Sequence, residues 1–285
     1  MDKAVLDSQH SFFDRHPFPG LDFSHLKNVQ QFIYTLEKND LYRAIKKLLQ
    51  PNKNLLDVGC GTGEFTTYLS IFNRVEVIGL DYSAETIQWA NGVKENFGFD
   101  SNLSFLKADI FQISTNELGR FDYALAMGLF PSIPNESTAM QKIVDFVKPG
   151  GVVVFGFFDP IGRAYTRLKR WLLQSISSRF PDQEAICNNV LLTHLKDKNE
   201  VIWHLNQLTE EFLNYHSPMQ ARSMMQRCGL TITDCCPKLK SIGTSIPDEL
   251  NIRDTYKFPF LQFFGRLSWL KPTINGYYVL VGRKA

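Results

Sequence analysis

The sequence predicts an α/β domain built on a mostly parallel sheet with helices on both faces. Short apolar runs alternate with amphipathic segments between residues 51 and 159. A glycine-rich turn joins the first run to a helical segment in "LLDVGCGTGEFTTYL", and a "KPGG" turn precedes the apolar run "VVVFGFF". Strands that alternate with helices form parallel sheets, whose ligands lie beyond the carboxyl ends of the strands.

The predicted elements follow in order along the chain. Residues 24–50 are expected to be helical up to Pro51, and Ser83 is expected to cap the second helix of the alternating region. The predicted strands are NLLDVG, VEVIGLD, LSFLKAD, FDYALAM, GGVVVFGFF, LTITDCCP and GYYVLVGRK. The predicted later helices are GEFTTYLSIF, SAETIQWANGVKENF, NESTAMQKIVDFV, RAYTRLKRWLLQSIS, NNVLLTHLKDKNEVIWHL and MQARSMMQRCG.

The chain is expected to form one domain with two insertions. An N-terminal helical or lid segment (1–50) precedes a ligand-binding core (51–159) and a cap insertion (160–212). The C-terminal part of the core sheet (213–285) carries an aromatic insertion at about 237–273. A chain of 285 residues that is 44% hydrophobic can bury a core of this size.

Composition excludes several classes of protein. The net charge is only +2 and no Lys/Arg block occurs, so no nucleic-acid partner is expected. The five cysteines form no CxxC pair, which argues against a zinc site or disulfide framework and favours a reducing, cytoplasmic location. No signal peptide is recognisable, and no apolar run reaches the roughly 18 residues of a membrane span.

The glycine turn constrains the ligand. Gly59, Gly61 and Gly63 follow a strand, and glycine lets a ligand approach the backbone closely. A nicotinamide-binding G-x-G-x-x-G/A motif starting at Gly59 would need a small residue where Glu64 stands. Asp57, just before the glycines, disfavours a diphosphate and suits a cationic ligand.

On these residues the sequence resembles the class I S-adenosylmethionine-dependent methyltransferases. Their E/D-x-G-x-G-x-G motif occurs at residues 57–63, and the likeness covers about residues 50–158. It implies a Rossmann-like sheet of seven strands with the last antiparallel, helical cap insertions, S-adenosylmethionine as cofactor, S-adenosylhomocysteine as product, and no metal. It also implies that Asp81 holds the ribose hydroxyls, Asp109 the adenine amino group, and that Ile110 flanks the ring. The full set of cofactor-binding candidates is Asp57, Gly59, Cys60, Gly61, Gly63, Asp81, Tyr82, Asp109, Ile110 and Met127.

Taken singly, Asp57, Asp81 and Asp109 also fit a helix cap or a solvated loop acid.

In the family, the residues after the fourth strand face the methyl group, and here they read "MGLFPSIPN". This is neither the D/N-P-P-Y/F pattern of amino-methylating nucleic-acid enzymes nor a His-His pair. Leu129 and Phe130 are interpreted as a pocket wall for the acceptor, or as core packing under the next helix.

Methyl transfer to a hydroxyl group benefits from a general base, and His suits that role near neutral pH. The candidates are His194, His204 and His216, although each also fits a structural or solvent-facing role. Phe13 and His16, in the aromatic segment "SFFDRHPFPGLDF", are candidates for acceptor binding.

Two further segments have open interpretations. The N-terminal aromatics and "YKFPFLQFFGRLSWL" could form a lid over a hydrophobic acceptor, ordinary core, a homodimer interface or a membrane-contacting surface. The basic side chains in "RAYTRLKRWLLQ" form either a solvated face or a clamp for an anionic group of the substrate.

The predicted function is methyl transfer from S-adenosylmethionine to a small or lipid-like molecule in biosynthesis, with O-methylation as the first choice. The alternatives are N- or C-methylation of a small molecule, methylation of RNA or protein, and a non-catalytic cofactor-binding partner. The misplaced third glycine argues against a nucleotide-dependent oxidoreductase.

Overall fold

The computed structural model describes most of the chain. The described residues are 14–15, 26, 28–73, 76–98, 102–177, 187, 198–210, 213–236, 239–240, 249–250 and 276–285. The N-terminal aromatic segment and most of the insertion at 237–273 therefore lie outside the described residues. Among the helices of the described part, none is long and apolar enough to cross a membrane.

Seven strands form one twisted sheet. They are β1 (Leu55–Val58), β2 (Val77–Asp81), β3 (Leu103–Lys107), β4 (Phe121–Ala126), β5 (Val147–Phe158), β6 (Leu230–Cys236) and β7 (Tyr277–Lys284). Their order is β3-β2-β1-β4-β5-β7-β6. Strands β1 to β5 are parallel, and β7 runs antiparallel between β5 and β6. The predicted fold class, including the antiparallel last strand, is confirmed.

Nine α-helices accompany the sheet in the described part. They are α1 (Val29–Leu36), α2 (Asp40–Leu48), α3 (Glu64–Asn73), α4 (Ala84–Phe97), α5 (Thr115–Leu118), α6 (Glu136–Asp145), α7 (Ala164–Ser177), α8 (Lys198–Thr209) and α9 (Pro218–Arg227). A 3-10 turn, Phe130–Ser132, follows β4, and two-residue strands at Leu239–Lys240 and Glu249–Leu250 pair with each other.

The sheet is covered on both faces. All four residues of β1 are buried, as expected for a central parallel strand, and two separate apolar clusters pack on the sheet. Ser83 caps α4 as predicted, because its hydroxyl accepts a 3.1 Å bond from the amide of Thr86. Because β1 to β5 are parallel, the carboxyl ends of β1, β2, β4 and β5 lie on the same side of the sheet, and the candidate site is at that side.

Two local predictions needed correction. The helix predicted over residues 24–50 is two helices, because the side chain of Asn39 accepts bonds from the amides of Leu41 and Tyr42 and starts α2 anew. The "KPGG" segment lies within β5 as an irregularity. The pairing of β4 with β5 jumps from Phe121↔Val147 to Tyr123↔Val152 across it.

Candidate active site

The glycine loop is tied to the end of β2. The amides of Gly59 and Cys60 both donate to the carbonyl of Leu80, at 2.8 and 2.9 Å. Gly59, Gly61 and Gly63 have φ values of 73°, 56° and 81°, in the left-handed region that favours glycine. The thiol of Cys60 is buried, which raises its pKa well above the usual value. The loop thus presents backbone at the edge of the sheet.

Gly63 has a second reason to be glycine. A Cβ at this position would lie 2.7 Å from the Cβ of Ala90 and 2.7 Å from the Cζ of Phe105. Contacts that short do not occur between carbon atoms, so a side chain would separate α3 from α4 and β3. The close approach of these elements positions the start of α3 directly after the loop.

Asp57 is a buried acid at the penultimate position of β1. It is 3% exposed, and the hydroxyl of Thr66 donates a 2.6 Å hydrogen bond to its Oδ2. Burial raises the pKa of Asp57 to about 6, the hydrogen bond from Thr66 opposes the rise, and the charge of Asp81 adds to it. A cation bound nearby would favour the ionised form of this carboxylate.

Asp81, at the end of β2, is held by the backbone amides of Gly61, Tyr82 and Ser83. Its Oδ2 accepts from Gly61 and its Oδ1 from Ser83, each at 3.0 Å. Burial raises the pKa of Asp81, and these amides oppose the rise. The amide of Tyr82 also bonds to this carboxylate, so three of its about four lone-pair sites are used and one remains for a ligand hydroxyl.

The residues after β2 and β3 include the three candidates for binding adenine and the adjacent ribose, Tyr82, Asp109 and Ile110. Asp109 closes its own turn, because its Oδ1 accepts from the amide of Phe111 and its Oδ2 from the side chain of Gln112, both at 2.9 Å. The side chain of Ile110 is buried in the core, whereas Tyr82 is 46% exposed beside Asp81. The adenine-binding roles of these residues stay predictions.

A tyrosine from the N-terminal segment reaches this region. Tyr42 on α2 stacks on Phe65, with ring centroids 4.1 Å apart. Burial raises the pKa of Tyr42, and the charges of Glu64 and Asp57 raise it further. The sequence analysis missed Tyr42, because nothing in its local pattern distinguishes it from an ordinary helix residue.

Met127, at the end of β4, is fixed by the last strand. The hydroxyl of Tyr277 donates to the carbonyl oxygen of Met127. A Cβ at Gly156 of β5 would overlap both that carbonyl oxygen and the tyrosine hydroxyl, so this close approach of the strands favours glycine. This contact joins three strands at the edge that carries the site.

Of the two predicted wall residues, only Leu129 presents surface. Leu129 is half-buried and lies 3.6 Å from the position of a Cβ on Gly59. Phe130 is fully buried, edge-on to Phe155 at 4.9 Å and stacked on Phe157 at 5.5 Å. Phe130 therefore packs in the core, as in the second of the two interpretations.

His216 lies next to the end of β5 and is paired with a carboxylate. Its Nε2 is 2.5 Å from Oε2 of Glu136, the first residue of α6. Its amide donates to the carbonyl of Phe158, and its carbonyl accepts from the hydroxyl of Tyr278, both at 2.8 Å. The imidazole is thus held from both the backbone and the side chain. The sequence analysis missed Glu136.

The other candidates are placed differently. His204 is half-buried on α8. Phe13, His16 and His194 lie outside the described residues. The interpretation of the basic helix as a solvated face is wrong for Arg163 and Arg170, which are 0% and 7% exposed, while Arg167 is exposed.

Comparisons with known proteins identify the family of the chain. A family model described as a methyltransferase domain matches residues 49–229, more than half of the chain. Malonyl-(acyl-carrier protein) O-methyltransferase 2 of Ilyobacter polytropus is 28% identical over 180 residues, which are 62% of this chain and 65% of that protein. Sterol 24-C-methyltransferase of Kluyveromyces lactis is 31% identical over 129 residues, 45% of this chain. The chain thus spans less than two thirds of the first relative and 34% of the second.

A solved structure shares the fold. The magnesium protoporphyrin IX methyltransferase of Synechocystis PCC 6803, crystallised with bound S-adenosylhomocysteine, superposes with a TM-score of 0.57. It is 15% identical in sequence, and the superposition covers 100% of both chains.

Proposed function

The chain belongs to the methyltransferase-domain family, the class I S-adenosylmethionine-dependent methyltransferases that its sequence resembles, and on this premise we propose that it methylates a small or hydrophobic acceptor. S-adenosylmethionine is the proposed methyl donor, and transfer to a hydroxyl or carboxyl oxygen is the proposed reaction. The arrangement of Asp57 and Asp81 around the glycine loop is the observation that carries the proposal.

The loop and its acids fit that cofactor on chemical grounds. Asp81 has accepting capacity left beyond its bonds from the amides of Gly61, Ser83 and Tyr82, which suits a ribose hydroxyl. Buried Asp57 favours a positively charged ligand such as the methionyl part, which carries an ammonium and a sulfonium. When bound, the cofactor supplies an already activated methyl group, so alignment and exclusion of water are the main tasks of the chain.

The names of the relatives leave the methylated atom open, since one acts on an oxygen and the other on a carbon. The pairing of His216 with Glu136 favours oxygen in this chain. If Nε2 carries the proton shared with Glu136, the lone pair of Nδ1 is available to take the proton of an acceptor hydroxyl. Glu136 would then stabilise the imidazolium that forms, and the pair would act as a general base.

The cofactor claim is tested first by calorimetry. We expect micromolar binding of S-adenosylhomocysteine, a loss of at least about tenfold in affinity for Asp81→Asn, and no binding of reduced nicotinamide cofactors. Asp145→Asn is the matched control, because Asp145 is exposed on α6, away from the glycine loop. A folded wild-type protein that does not bind S-adenosylhomocysteine would remove the proposal.

The acceptor class is tested with methyl-labelled S-adenosylmethionine and a cell extract from the source. Label in the organic-soluble or small-molecule fraction supports the proposal. Label in RNA or protein overturns the acceptor class while leaving the cofactor claim intact.

A further inference from the structure

Five side chains meet above the carboxyl ends of β4 and β5. We call them the arginine–tyrosine cluster: Arg163, Arg167 and Arg170 on or just before α7, Glu210 after α8, and Tyr215 before α9. The guanidinium carbon of Arg163 lies 3.9 Å from the ring centroid of Phe158, which ends β5. Glu210 accepts a hydrogen bond from Ser132 in the turn after β4. The cluster therefore adjoins the carboxyl ends of β4 and β5, beside the candidate site.

The guanidinium groups of Arg167 and Arg170 are bonded to backbone carbonyls, which carry no net charge. Arg170 is 7% exposed and donates to the backbone carbonyls of Gln207 at 3.1 Å and Glu210 at 2.7 Å. Arg167 is exposed and donates to the carbonyl of Pro160 at 3.1 Å. Arg163 donates to the side-chain oxygen of Gln207. Such bonds orient the donors but do not neutralise their charge.

Among the residues that the structure describes, two acids lie near these guanidiniums, Glu210 and Asp159. Asp159 is fully buried, and its Oδ1 is bonded to the amides of Ile161 and Gly162. Burial raises the pKa of Glu210 to about 7, so this carboxyl is partly protonated near neutral pH. One of these two carboxyls is therefore only partly ionised.

The hydroxyl of Tyr215 is buried among these charged side chains. Within the described residues, that hydroxyl has no hydrogen-bond partner. The charges of Arg170, Arg163 and Arg167 all act on it, and Arg167 lies over its ring, 5.4 Å from the centroid. Guanidinium groups carry hydrogen-bond donors and no acceptor, so none of the three arginines can accept the proton of the Tyr215 hydroxyl. An orphaned buried donor is costly unless a ligand supplies the acceptor.

We infer that the arginine–tyrosine cluster binds an anionic oxygen group of the methyl acceptor, a carboxylate or a phosphate. The hydroxyl of Tyr215 donates to this group, and the guanidinium of Arg167 at the exposed side supplies a charge-assisted bond. The inference rests on the proposed function, because it assigns the group to the acceptor. It narrows the proposed class of acceptor from hydrophobic molecules in general to hydrophobic molecules that carry a carboxylate or a phosphate.

The probes are three compounds with one shared body: 4-phenylbutanoate, 4-phenylbutanol and 4-phenylbutyl phosphate. Their binding is measured by calorimetry with the full chain in saturating S-adenosylhomocysteine. We expect one or both anions to bind at least about tenfold more tightly than the alcohol. The relative affinity of the two anions then distinguishes a carboxylate site from a phosphate site.

Two variants test the named residues against matched controls. Tyr215→Phe removes only the hydroxyl and is expected to weaken the preferred anion about tenfold, with the alcohol unchanged. Its control is Tyr165→Phe, the same change at a tyrosine of α7 that is 68% exposed. Arg167→Gln is expected to weaken the anion similarly, whereas Arg120→Gln, at the exposed residue preceding β4, is not.

The outcomes separate the two claims. If S-adenosylhomocysteine does not bind, the proposed function fails. If it binds but the anions bind no better than the alcohol, the proposed function stands and the cluster is only a structural tie between α7 and α8. If the anions are preferred but Tyr165→Phe weakens them as much as Tyr215→Phe does, the site is elsewhere and the inference is wrong.

Discussion

The hydroxyl of Thr66, in the first turn of α3, donates a 2.6 Å hydrogen bond to the buried carboxylate of Asp57 in β1. This bond joins a residue that precedes the glycine loop to one that follows it. It also supplies one of the few favourable contacts available to a carboxylate that is 3% exposed.

Thr66→Val is therefore expected to destabilise the protein. The change keeps the shape and removes the donor, so the cost is about 1–3 kcal/mol in the free energy of unfolding. The adjacent Thr67 is an internal control, because its buried hydroxyl has no hydrogen-bond partner among the described residues. Thr67→Val should be neutral or slightly stabilising. Urea denaturation of both variants checks this, and equal destabilisation would contradict the role given to Thr66.

Asp57→Asn should change how stability depends on pH. The pKa of Asp57 is raised from 3.8 to about 6, so the folded state binds its proton more tightly than the unfolded state. Below a pH of about 4 the carboxyl is protonated in both states, so it takes nothing from the free energy of unfolding. As the pH rises to about 6, ionisation of the unfolded state lowers the free energy of unfolding, and the loss then stays constant at roughly 2–3 kcal/mol. Relative to wild type, the ligand-free variant should gain stability across this window. Parallel curves from pH 4 to 7 would show that Asp57 does not titrate there.

Gly63→Ala should be strongly destabilising. The new Cβ would meet Ala90 and Phe105 at 2.7 Å, and the φ of 81° is unfavourable for any side chain. We expect a loss of about 2–4 kcal/mol, or no folded protein. Gly92→Ala is the control within α4, where a Cβ meets nothing within 4 Å. That variant should gain up to about 1 kcal/mol from helix propensity. Thermal melts of the two variants should therefore shift in opposite directions.

His216→Asn and Glu136→Gln should slow methyl transfer without weakening cofactor binding. If the pair is a general base, the loss of His216 costs about 10²-fold or more in kcat, and Glu136→Gln alters the pH–rate profile as well as the rate. His204→Asn tests the rival base on α8. A rate loss only in the His204 variant would move the base to α8. No loss in any variant would indicate transfer without a protein base.

Much of this protein could be predicted from short stretches of sequence. The alternation of strands and helices, the glycine loop, the Ser83 cap and the family resemblance all depend on residues that are close in sequence. The fold class and the family are confirmed, because hydrophobic period and turn chemistry act locally. The one helix predicted over residues 24–50 was wrong because a side-chain cap at Asn39 competes with helix continuation.

The tertiary structure decided which side chains meet. Glu136 and His216 are 80 residues apart, and Arg170 and Glu210 are 40 apart, yet each pair is in contact. The spacing in "RAYTRLKRWLLQ" could not show that Arg163 and Arg170 face inward while Arg167 faces solvent, because burial depends on where α8 packs. By itself the sequence determined the sheet and the glycine loop that follows its first strand. The partners of each charged group, and therefore the chemistry offered to an acceptor, follow only from the packing of distant elements, since hydrogen bonds and charges act through space over a few ångströms.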